Sequence, residues 1–455
     1  MTSVLLIYPF FKPRRDRSVF RFPPLGISYI AATLQRAGHA VTLLDCTFLE
    51  REDALTKAMT VRAEVVGLYC MVTMLEDSLW FARHLRGQTR LLIAGGPLPT
   101  CDPLAFLEQF DVVVRGEAEQ TVIDLLEAFQ QGADLDTVAG LAYRHRSGNS
   151  EETTVAHTKD RPLVKDLDHI PFPARQLLPN AQYIQFTKKK YGYSITTVMS
   201  TRGCPFRCEF CSNVVFGGSY RERSPANVVD EIEEALSLGY DRISFADDVF
   251  TMKKERVVSV CEEILRRGLR FKWECLGRVD SLDAPTARKM KQAGCTRIYF
   301  GIESADENIL QLMNKQITIE EAQEAVGIAR HAGLEVGAFF ILFYPGDTGD
   351  SVLRTLRFST SLPLDYLGLS MPYPLPGTRL FERVKDRVNR DWRPDESPFG
   401  SHVLIFDSDF SEAKMWFGIF KGQVQFRVRK NLGALAPIIL LPFEALTDML
   451  FKLMR

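Results

Sequence analysis

The sequence predicts an α/β chain built as an N-terminal doubly wound, Rossmann-like domain, a partial (β/α)6 barrel and a mainly helical C-terminal segment. Three observations predict it. Over the first 130 residues, short apolar runs alternate with stretches of helical period. From 131 to 192 the pattern weakens into polar and proline-punctuated sequence. From 193 to about 385 the alternation resumes with a longer repeat. The expected organisation is a first domain at 1–130, a linker at 131–192, a barrel at 193–385 and a helical segment at 386–455. A chain of 455 residues is longer than one hydrophobic core usually serves.

In order, Val4–Tyr8 reads as a buried strand, Leu25–Ala37 as a helix ended by Gly38, and Val41–Asp45 as the next strand. Strands follow at Val65–Tyr69, Arg90–Ala94 and Asp111–Arg115, with helices between them and one at Gln120–Phe129. Runs apolar throughout imply a parallel sheet covered on both faces. A ligand site is then expected at the carboxyl ends of the strands, in the loops holding Pro9, Thr73, Gly95-Gly96-Pro97 and Gly116-Glu117. Gly132–Lys165 is polar and hairpin-like, and Pro171, Pro173 and Pro179 mark a connector. Barrel strands are expected at Ile195–Met199, Asp241–Ala246, Lys272–Leu276, Arg297–Gly301, Glu335–Leu342 and Tyr366–Met371, with helices such as Ala226–Leu238 between them. After Pro376-Gly377-Thr378 the pattern is mixed, and from Phe410 it is helical.

Composition narrows the function classes. With 56 basic against 57 acidic side chains, no bulk charge argues for nucleic acid. Nine cysteines scattered through the chain are neither a disulfide scaffold nor a repeat, which suits a reducing cytoplasm. The N-terminus has no basic region before its apolar run, so no signal peptide is read. The apolar tail Ala434–Met454 is broken by Pro437 and Pro442 and carries Glu444, Asp448 and Lys452, which excludes a spanning helix.

The chemistry is concentrated at Thr201-Arg-Gly-Cys204-Pro-Phe-Arg-Cys208-Glu-Phe-Cys211. At this cysteine frequency a C-x3-C-x2-C spacing has an expected occurrence of about 0.004. Three thiolates close together after a strand select a soft metal and suit a cubane with one iron left open. A structural zinc site needs a fourth ligand, yet the nearest histidines in sequence are His169 and His331. Reading Cys208 and Cys211 as a dithiol pair leaves Cys204 unexplained. For Cys46, Cys70, Cys101, Cys261, Cys275 and Cys295 the default is a buried small hydrophobe.

The cysteine spacing, Phe210 before the last cysteine, and the position after the first barrel strand resemble the radical S-adenosylmethionine (SAM) superfamily. The resemblance implies that Cys204, Cys208 and Cys211 bind a [4Fe–4S] cluster whose fourth iron is chelated by the methionine moiety of SAM. An electron from the cluster then releases a 5′-deoxyadenosyl radical. The likeness continues to about residue 385. Asp247 and Asp248 in Phe245–Phe250 resemble the position that holds the substrate amine or ribose, with helix capping as the ordinary alternative. The resemblance places Arg278 to clamp the methionine carboxylate and Glu303 of the Gly301–Ser304 motif to meet the ribose, with Ser304 of the same motif among the cofactor-binding residues. The loop ending Leu342–Thr348 resembles the one near adenine, and Pro374–Thr378 the last of the set. An electron donor such as flavodoxin or ferredoxin is implied.

A doubly wound domain ahead of this barrel resembles the cobalamin-binding subgroup, through Pro23–Ala32, Ala37-Gly38-His39, Asp45, Gly95–Pro97 and Arg115–Glu119. The Asp-x-His-x-x-Gly signature that supplies an axial histidine elsewhere is absent, and His39 sits before a strand. Tyr8, Thr73, Met74 or Leu98 is then expected to face the cobalt. A domain that keeps the fold without the cofactor is the alternative the spacing leaves open. As implied by the resemblance, one SAM methylates cob(I)alamin and another yields the radical, which takes hydrogen from the substrate before methylcobalamin delivers its methyl group. The expectation is a cobalamin-dependent methyltransferase acting on an unactivated carbon of a small molecule. The alternative is ring formation, ring contraction or carbon–carbon coupling on a lipid or tetrapyrrole-like substrate. The chain is expected to be a cytoplasmic monomer.

In the tail, Lys421, Arg427, Arg429 and Lys430 precede an apolar stretch, and Glu444, Asp448, Lys452 and Arg455 recur at helical spacing against Phe443, Leu446, Leu450 and Leu453. Two readings stand: a helix that closes the barrel or packs on the linker, and a helix that docks on the inner membrane surface. The second would point to a hydrophobic or lipid substrate.

Overall fold

Val4 and Leu6 lie in one buried cluster and Leu5 and Ile7 in another, so the first strand is buried on both faces. The same alternation separates Val65 from Val66, Leu91 and Ile93 from Leu92 and Ala94, and Val112 and Val114 from Val113. Period-two patterning with no polar phase is what a parallel sheet between two helical layers requires. The computed structural model describes residues 1–11, 21–146, 153–388 and 406–454. The turn of the predicted hairpin at 147–152, residues 389–405 of the mixed segment, and Arg455 lie outside them.

The chain divides into two units: 1–198 with 202–205 and 212–241, and 199–201 with 206–211 and 242–455. In the first unit the strands are β1 (Ser3–Tyr8), β2 (Ala40–Asp45), β3 (Val65–Tyr69), β4 (Leu91–Gly95), β5 (Val112–Val114), β6 (Leu141–Arg146) and β7 (Thr153–His157). They form one sheet in the order β2-β1-β3-β4-β5-β6-β7. The first five are parallel, and β6 and β7 add antiparallel at the β5 edge. The hairpin of the expected linker thus completes this sheet. The winding direction reverses between β1 and β3, which puts the crevice of such a sheet beyond their last residues, Tyr8 and Tyr69.

Further along the first unit, the helix Asn180–Tyr191 follows Pro179 and ends at Gly192, and β8 (Ile195–Val198) comes after it. The helix Pro225–Ser237 is capped by the Ser224 side chain on the Asn227 N–H. Glu231 on this helix has a fully buried carboxylate, met by Arg175 at 2.5 Å, by Arg223, and by the Tyr29 hydroxyl at 3.3 Å. Arg175 also donates to Thr196 Oγ1 at 3.1 Å and to the Thr197 carbonyl at 2.7 Å. One carboxylate therefore ties the helix Leu25–Arg36, the proline-rich segment, β8 and the helix Pro225–Ser237.

Two-residue strands β9 (Thr201–Arg202) and β10 (Arg221–Glu222) flank the cysteine motif. The second unit carries the parallel strands β11 (Arg242–Phe245), β12 (Lys272–Gly277), β13 (Cys295–Glu303), β14 (Glu335–Ile341) and β15 (Tyr366–Ser370), paired in sequence order and each followed by helix. This is the partial α/β barrel. The helix Glu412–Leu432 lies on β15 and on the helix Gly349–Ser361, where a Cβ at Gly422 would stand 2.5 Å from Leu369 and 2.7 Å from Leu356. The helix Ala436–Leu453 returns antiparallel to it through Lys421–Asp448 at 2.7 Å and Arg429–Glu444 at 3.1 Å. The tail packs on the last β/α repeat of its own unit.

Breaking a buried ion pair by deleting one partner leaves the other charge stranded. Glu231→Ala is expected to lower stability by about 3–5 kcal/mol, measured as the shift in urea midpoint. Arg36→Ala removes an exposed contact to the His169 carbonyl and should leave that midpoint within about 0.5 kcal/mol of wild type.

Candidate functional site

The segment leading to the first motif cysteine is fixed by charge. Arg202 is buried between the rings of Tyr29 and Phe216, at 5.3 and 5.0 Å, and pairs with Glu119 at 2.6 Å and Glu117 at 3.2 Å. Arg221 reaches the same Glu117 at 2.8 Å and donates to the Val164 and Phe216 carbonyls. Glu117 also accepts the Val164 N–H at 2.7 Å. Gly203 has φ +82°, and a Cβ there would come within 2.3 Å of the Ser219 carbonyl, so no other residue fits before Cys204. Asn213 donates to the Cys204 carbonyl at 2.9 Å.

Cys208 and Cys211 belong to a turn closed by the Cys211 N–H on the Cys208 carbonyl at 3.2 Å. Residues far along the chain hold that turn. The Glu209 N–H donates to the Met313 carbonyl, its carbonyl accepts from the Leu380 N–H, and its carboxylate pairs with Arg383. Asn314 donates to the Arg207 carbonyl at 2.8 Å, and Phe210 packs against Ile309, Met313, Tyr344 and Leu380.

No disulfide joins any of the nine cysteines. Cys46, Cys70, Cys261, Cys275 and Cys295 are buried, as expected of small hydrophobes, and Cys101 is half-buried. Burial pushes the Cys70 thiol up to about 12 and the Cys101 thiol up to about 11, and holds Cys46, Cys261 and Cys275 above the usual range. Cys204 and Cys208 are half-buried and Cys211 is exposed. Among the described residues no three His, Cys, Asp or Glu side chains already stand around one metal position, and Cys204 falls in the first unit whereas Cys208 and Cys211 fall in the second. The fit to an iron–sulfur cluster rests on the donor set, three reachable soft thiols on pinned backbone.

The other residues expected at this site meet different fates. Asp247 is fully buried and accepts from the Ser200 N–H at 2.6 Å, the Thr201 N–H at 3.0 Å and the Ser200 hydroxyl. It caps the strand end just before the cysteine loop rather than a helix. Burial raises its pKa against those hydrogen bonds and Arg256. Asp248 is exposed. Arg278 lies 3.7 Å over the Phe206 ring, shares one nitrogen between the Lys315 and Gln316 carbonyls at 2.7 Å, and pairs with Asp280. Glu303 sits at φ +71° where the β13–β14 register shifts, and its carboxylate meets Lys315 at 2.9 Å. A non-glycine residue held in that region marks stored backbone strain. Ser304 is buried, 3.2 Å from the Thr355 hydroxyl.

At the carboxyl ends of the first sheet, the Tyr8 and Tyr69 rings stand 5.5 Å apart. Pro9 is buried and Thr73 is exposed on a short turn. Met74 and Leu98 are buried in the core and do not face outward. Gly95, Gly96, Pro97 and Gly116 are half-exposed. Gly96, at φ +112°, lets the loop after β4 approach the Cys70 carbonyl, which a Cβ would meet at 2.7 Å. His39 accepts from the Thr2 N–H at 3.4 Å, at the opposite, amino end of the sheet. Asp45, buried at the end of β2, is bonded to Thr47 and to the Tyr183 hydroxyl at 2.7 Å. Among the described residues, the glycine backbone of these loops and the aromatic rings of Tyr8 and Tyr69 offer a surface that suits a flat macrocycle held by shape. Asn213, Phe206, Lys315, Arg383 and Tyr344 were not singled out from sequence. Phe206 and Asn213 gave a signal by lying within or beside the cysteine motif and Tyr344 by lying in the loop Leu342–Thr348, whereas Lys315 and Arg383 gave none.

Comparison with known proteins fits this geometry. The family model for the radical SAM superfamily matches residues 198–359, and that for the B12 binding domain matches residues 12–126. A Pyrococcus horikoshii protein named as an uncharacterized methyltransferase is 33% identical over 79% of this chain and 78% of its own. The anaerobic magnesium-protoporphyrin IX monomethyl ester cyclase of Rubrivivax gelatinosus is 28% identical over 85% of this chain and 70% of its own. The solved structure of OxsB, a cobalamin-dependent S-adenosylmethionine radical enzyme with aqua-cobalamin bound, shares the fold with a TM-score of 0.75 and 17% identity, over 99% of this chain and 72% of that one.

Thiol accessibility separates the two classes of cysteine without any metal. In brief anaerobic alkylation of the metal-free chain, Cys211 should label first, Cys204 and Cys208 next, and the five buried cysteines only after denaturant is added. Peptide mass mapping that finds Cys261 or Cys275 labelled alongside Cys211 would contradict this burial.

Proposed function

The chain belongs to the radical SAM superfamily, in the group whose barrel follows a B12-binding domain, and from that membership we propose a cobalamin-dependent methyltransferase acting on an unactivated carbon through a 5′-deoxyadenosyl radical. The observation that carries this reading is the 33% identity to a protein named as a methyltransferase, over a span longer than either matched domain. When bound, the cluster supplies the electron that cleaves SAM, and cobalamin carries the methyl group. In this reading Cys204, Cys208 and Cys211 hold the cluster. Phe210, Asp248, Arg278, Glu303 and Ser304 orient SAM, and Asp247 acts by fixing Ser200 and Thr201. Tyr8, Pro9, Thr73, Gly95, Gly96, Pro97 and Gly116 shape the corrin site, while Glu117 acts through Arg202.

The similarity to a cyclase over 85% of the chain favours one second reading, ring formation on a tetrapyrrole-like substrate. Methyl-deuterated SAM separates the two: a methyltransferase passes the label to product, and a cyclase releases only deoxyadenosine. Cys208→Ala should lower deoxyadenosine to background in anaerobically reconstituted protein. Equal yields from wild type and variant would remove the radical assignment altogether.

The substrate is a small molecule, and we infer a hydrophobic one, with electrons from a flavodoxin or ferredoxin, in a cytoplasmic monomer peripheral to the inner membrane face. No helix of the described residues is long and apolar enough to cross a membrane. The support is the last helix, whose outer face is apolar: Glu444 and Asp448 turn inward to Arg429 and Lys421 beside the buried Leu440 and Phe451, while Ile438, Leu441 and Leu453 are 73–74% exposed. The helices Glu412–Leu432 and Ala436–Leu453 carry six basic side chains against three acidic ones, which suits an anionic lipid surface. Full-length protein should float with vesicles of equimolar phosphatidylglycerol and phosphatidylcholine, and the pair Leu446→Glu, Met449→Glu should lower the bound fraction roughly tenfold. Wild type floating no better than that double variant would rule out this contact.

A further inference from the structure

The barrel strands bury one face under helices. Phe340 meets Phe358 of the helix Gly349–Ser361 with ring centroids 6.3 Å apart, and Leu369 lies against Gly422 of the helix Glu412–Leu432. The alternate residues form the inner face. Across it, in register, Leu276, Tyr299, Gly337 and Tyr366 make one row from β12 to β15, and Gly301, Phe339 and Gly368 make the next from β13 to β15. A filled barrel packs bulky branched side chains on this face. Here glycine stands beside an aromatic residue in both rows. Leu276 is 38% exposed and Phe339 is half-exposed, so among the described residues no side chain fully covers them.

The glycines let the rings lie down. A Cβ at Gly337 would come within 2.3 Å of the Tyr299 ring, and one at Gly368 within 2.6 Å of the Phe339 ring. Each ring therefore leans across the next strand. The two are stacked with centroids 5.7 Å and planes 21° apart, and Tyr366 stands edge-on to both. The third glycine lies under an ion pair: a Cβ at Gly301 would crowd the Glu303 carboxylate and stand 3.0 Å from Lys315 Nζ. Lys315 is in turn 5.8 Å from the Phe210 ring of the cysteine turn. Toward the amino ends of the strands the same face is charged again, where Arg297 donates to the Tyr299 hydroxyl at 3.0 Å and pairs with Glu335. Glycine inside a strand weakens it and marks a place where a ligand approaches closely.

We propose that the open face of Phe339 seats the substrate, and that the substrate is a flat, unsaturated ring system stacked on that ring. This rests on the radical assignment made above, which puts the reaction beside Phe210. The ions bound the length of the occupant. At 3.3 Å per residue, the interval from Arg297 to Gly301, over which the Glu303 carboxylate lies, is roughly 13 Å. That leaves room for a fused ring system and not for an extended acyl chain. A ring lying on a sheet offers its π face, which another ring meets by offset stacking, whereas a saturated skeleton gains contact area alone. Phe339 is on this account a specificity-determining residue.

The test is equilibrium dialysis of reconstituted full-length protein against two carboxylates of four fused rings: 1-pyrenebutyrate, flat and unsaturated, and cholate, saturated and puckered. Every protein carries Leu446→Glu and Met449→Glu, so that the tail offers no second apolar site. Phe339→Leu keeps the bulk without the π face. It should weaken pyrenebutyrate roughly tenfold and leave cholate within about twofold, while Phe339→Tyr keeps the parent affinity. Should Phe339→Leu not fold, Leu276→Gln, at a position already exposed, takes its place and should weaken pyrenebutyrate about threefold or more. Pyrenebutyrate affinity unchanged in the variant would overturn the proposal. So would cholate bound as tightly as pyrenebutyrate, which would point to a saturated skeleton. Deoxyadenosine released from SAM is measured on the same preparations. None from the parent protein sinks the functional reading and this one together, whereas release with pyrenebutyrate affinity indifferent to the substitution sinks this one alone.

Discussion

The buried charge network of Glu117, Glu119, Arg202 and Arg221 is the constraint on which the first unit's part of the site depends. Four ionised groups out of water are tolerable only when each is met by an opposite charge or a hydrogen bond. Here Glu117 is met by Arg202, Arg221 and the Val164 N–H, and Arg202 by both glutamates and two aromatic faces. Geometry rather than net charge decides its value, because removing Glu117 leaves Arg221 without its acidic partner and removing Arg202 leaves Glu119 without its basic one. The network fixes the turn after Gly116, a loop at the carboxyl end of β5, and the residue two before Cys204. Those two features are more than eighty residues apart in sequence, as the Arg202–Glu117 separation of 85 shows. The likeness of Arg115–Glu119 to a cofactor landmark thus has a local cause: its acidic residues anchor the cysteine strand.

The first sheet was largely legible because its strands bury both faces, and a run such as Val4–Tyr8 has no polar phase to obscure it. What escaped was the role of the segment 131–192. Its prolines suggested a passive connector, yet Pro179 before Asn180 and Gly192 after Tyr191 bracket a helix with the usual asymmetry of proline at the start and glycine at the end. The β6–β7 hairpin was visible as a hairpin, but its pairing with β5 is a long-range fact that local pattern does not encode. Arg175, inside the same segment, carries no signal in the sequence and is one of the most deeply buried side chains.

The site divides along the same line. Three cysteines within eight residues are legible because cluster binding requires local spacing. Arg278 and Glu303 could be named from their motifs, but not their partners: Lys315 meets one as a cation and the other through its carbonyl, and lies on a separate loop. Asp247 and Asp248 adjoin in sequence and part in structure, one fully buried on backbone amides and the other exposed, because a strand end sends successive side chains to opposite sides.

The tail helix, with its ion pairs turned inward and leucines and isoleucine left outside, makes ionic strength act on its two faces in opposite senses. Lys421 and Asp448 are shut away from solvent, so added salt scarcely screens them, and the helix stays docked on its neighbour. The leucines and isoleucine outside are governed by water's cohesion instead, which sulfate and phosphate strengthen. Concentrated kosmotropic salt therefore leaves the tail folded while making its outer face more adhesive, and the stickiness of this chain is decoupled from its unfolding.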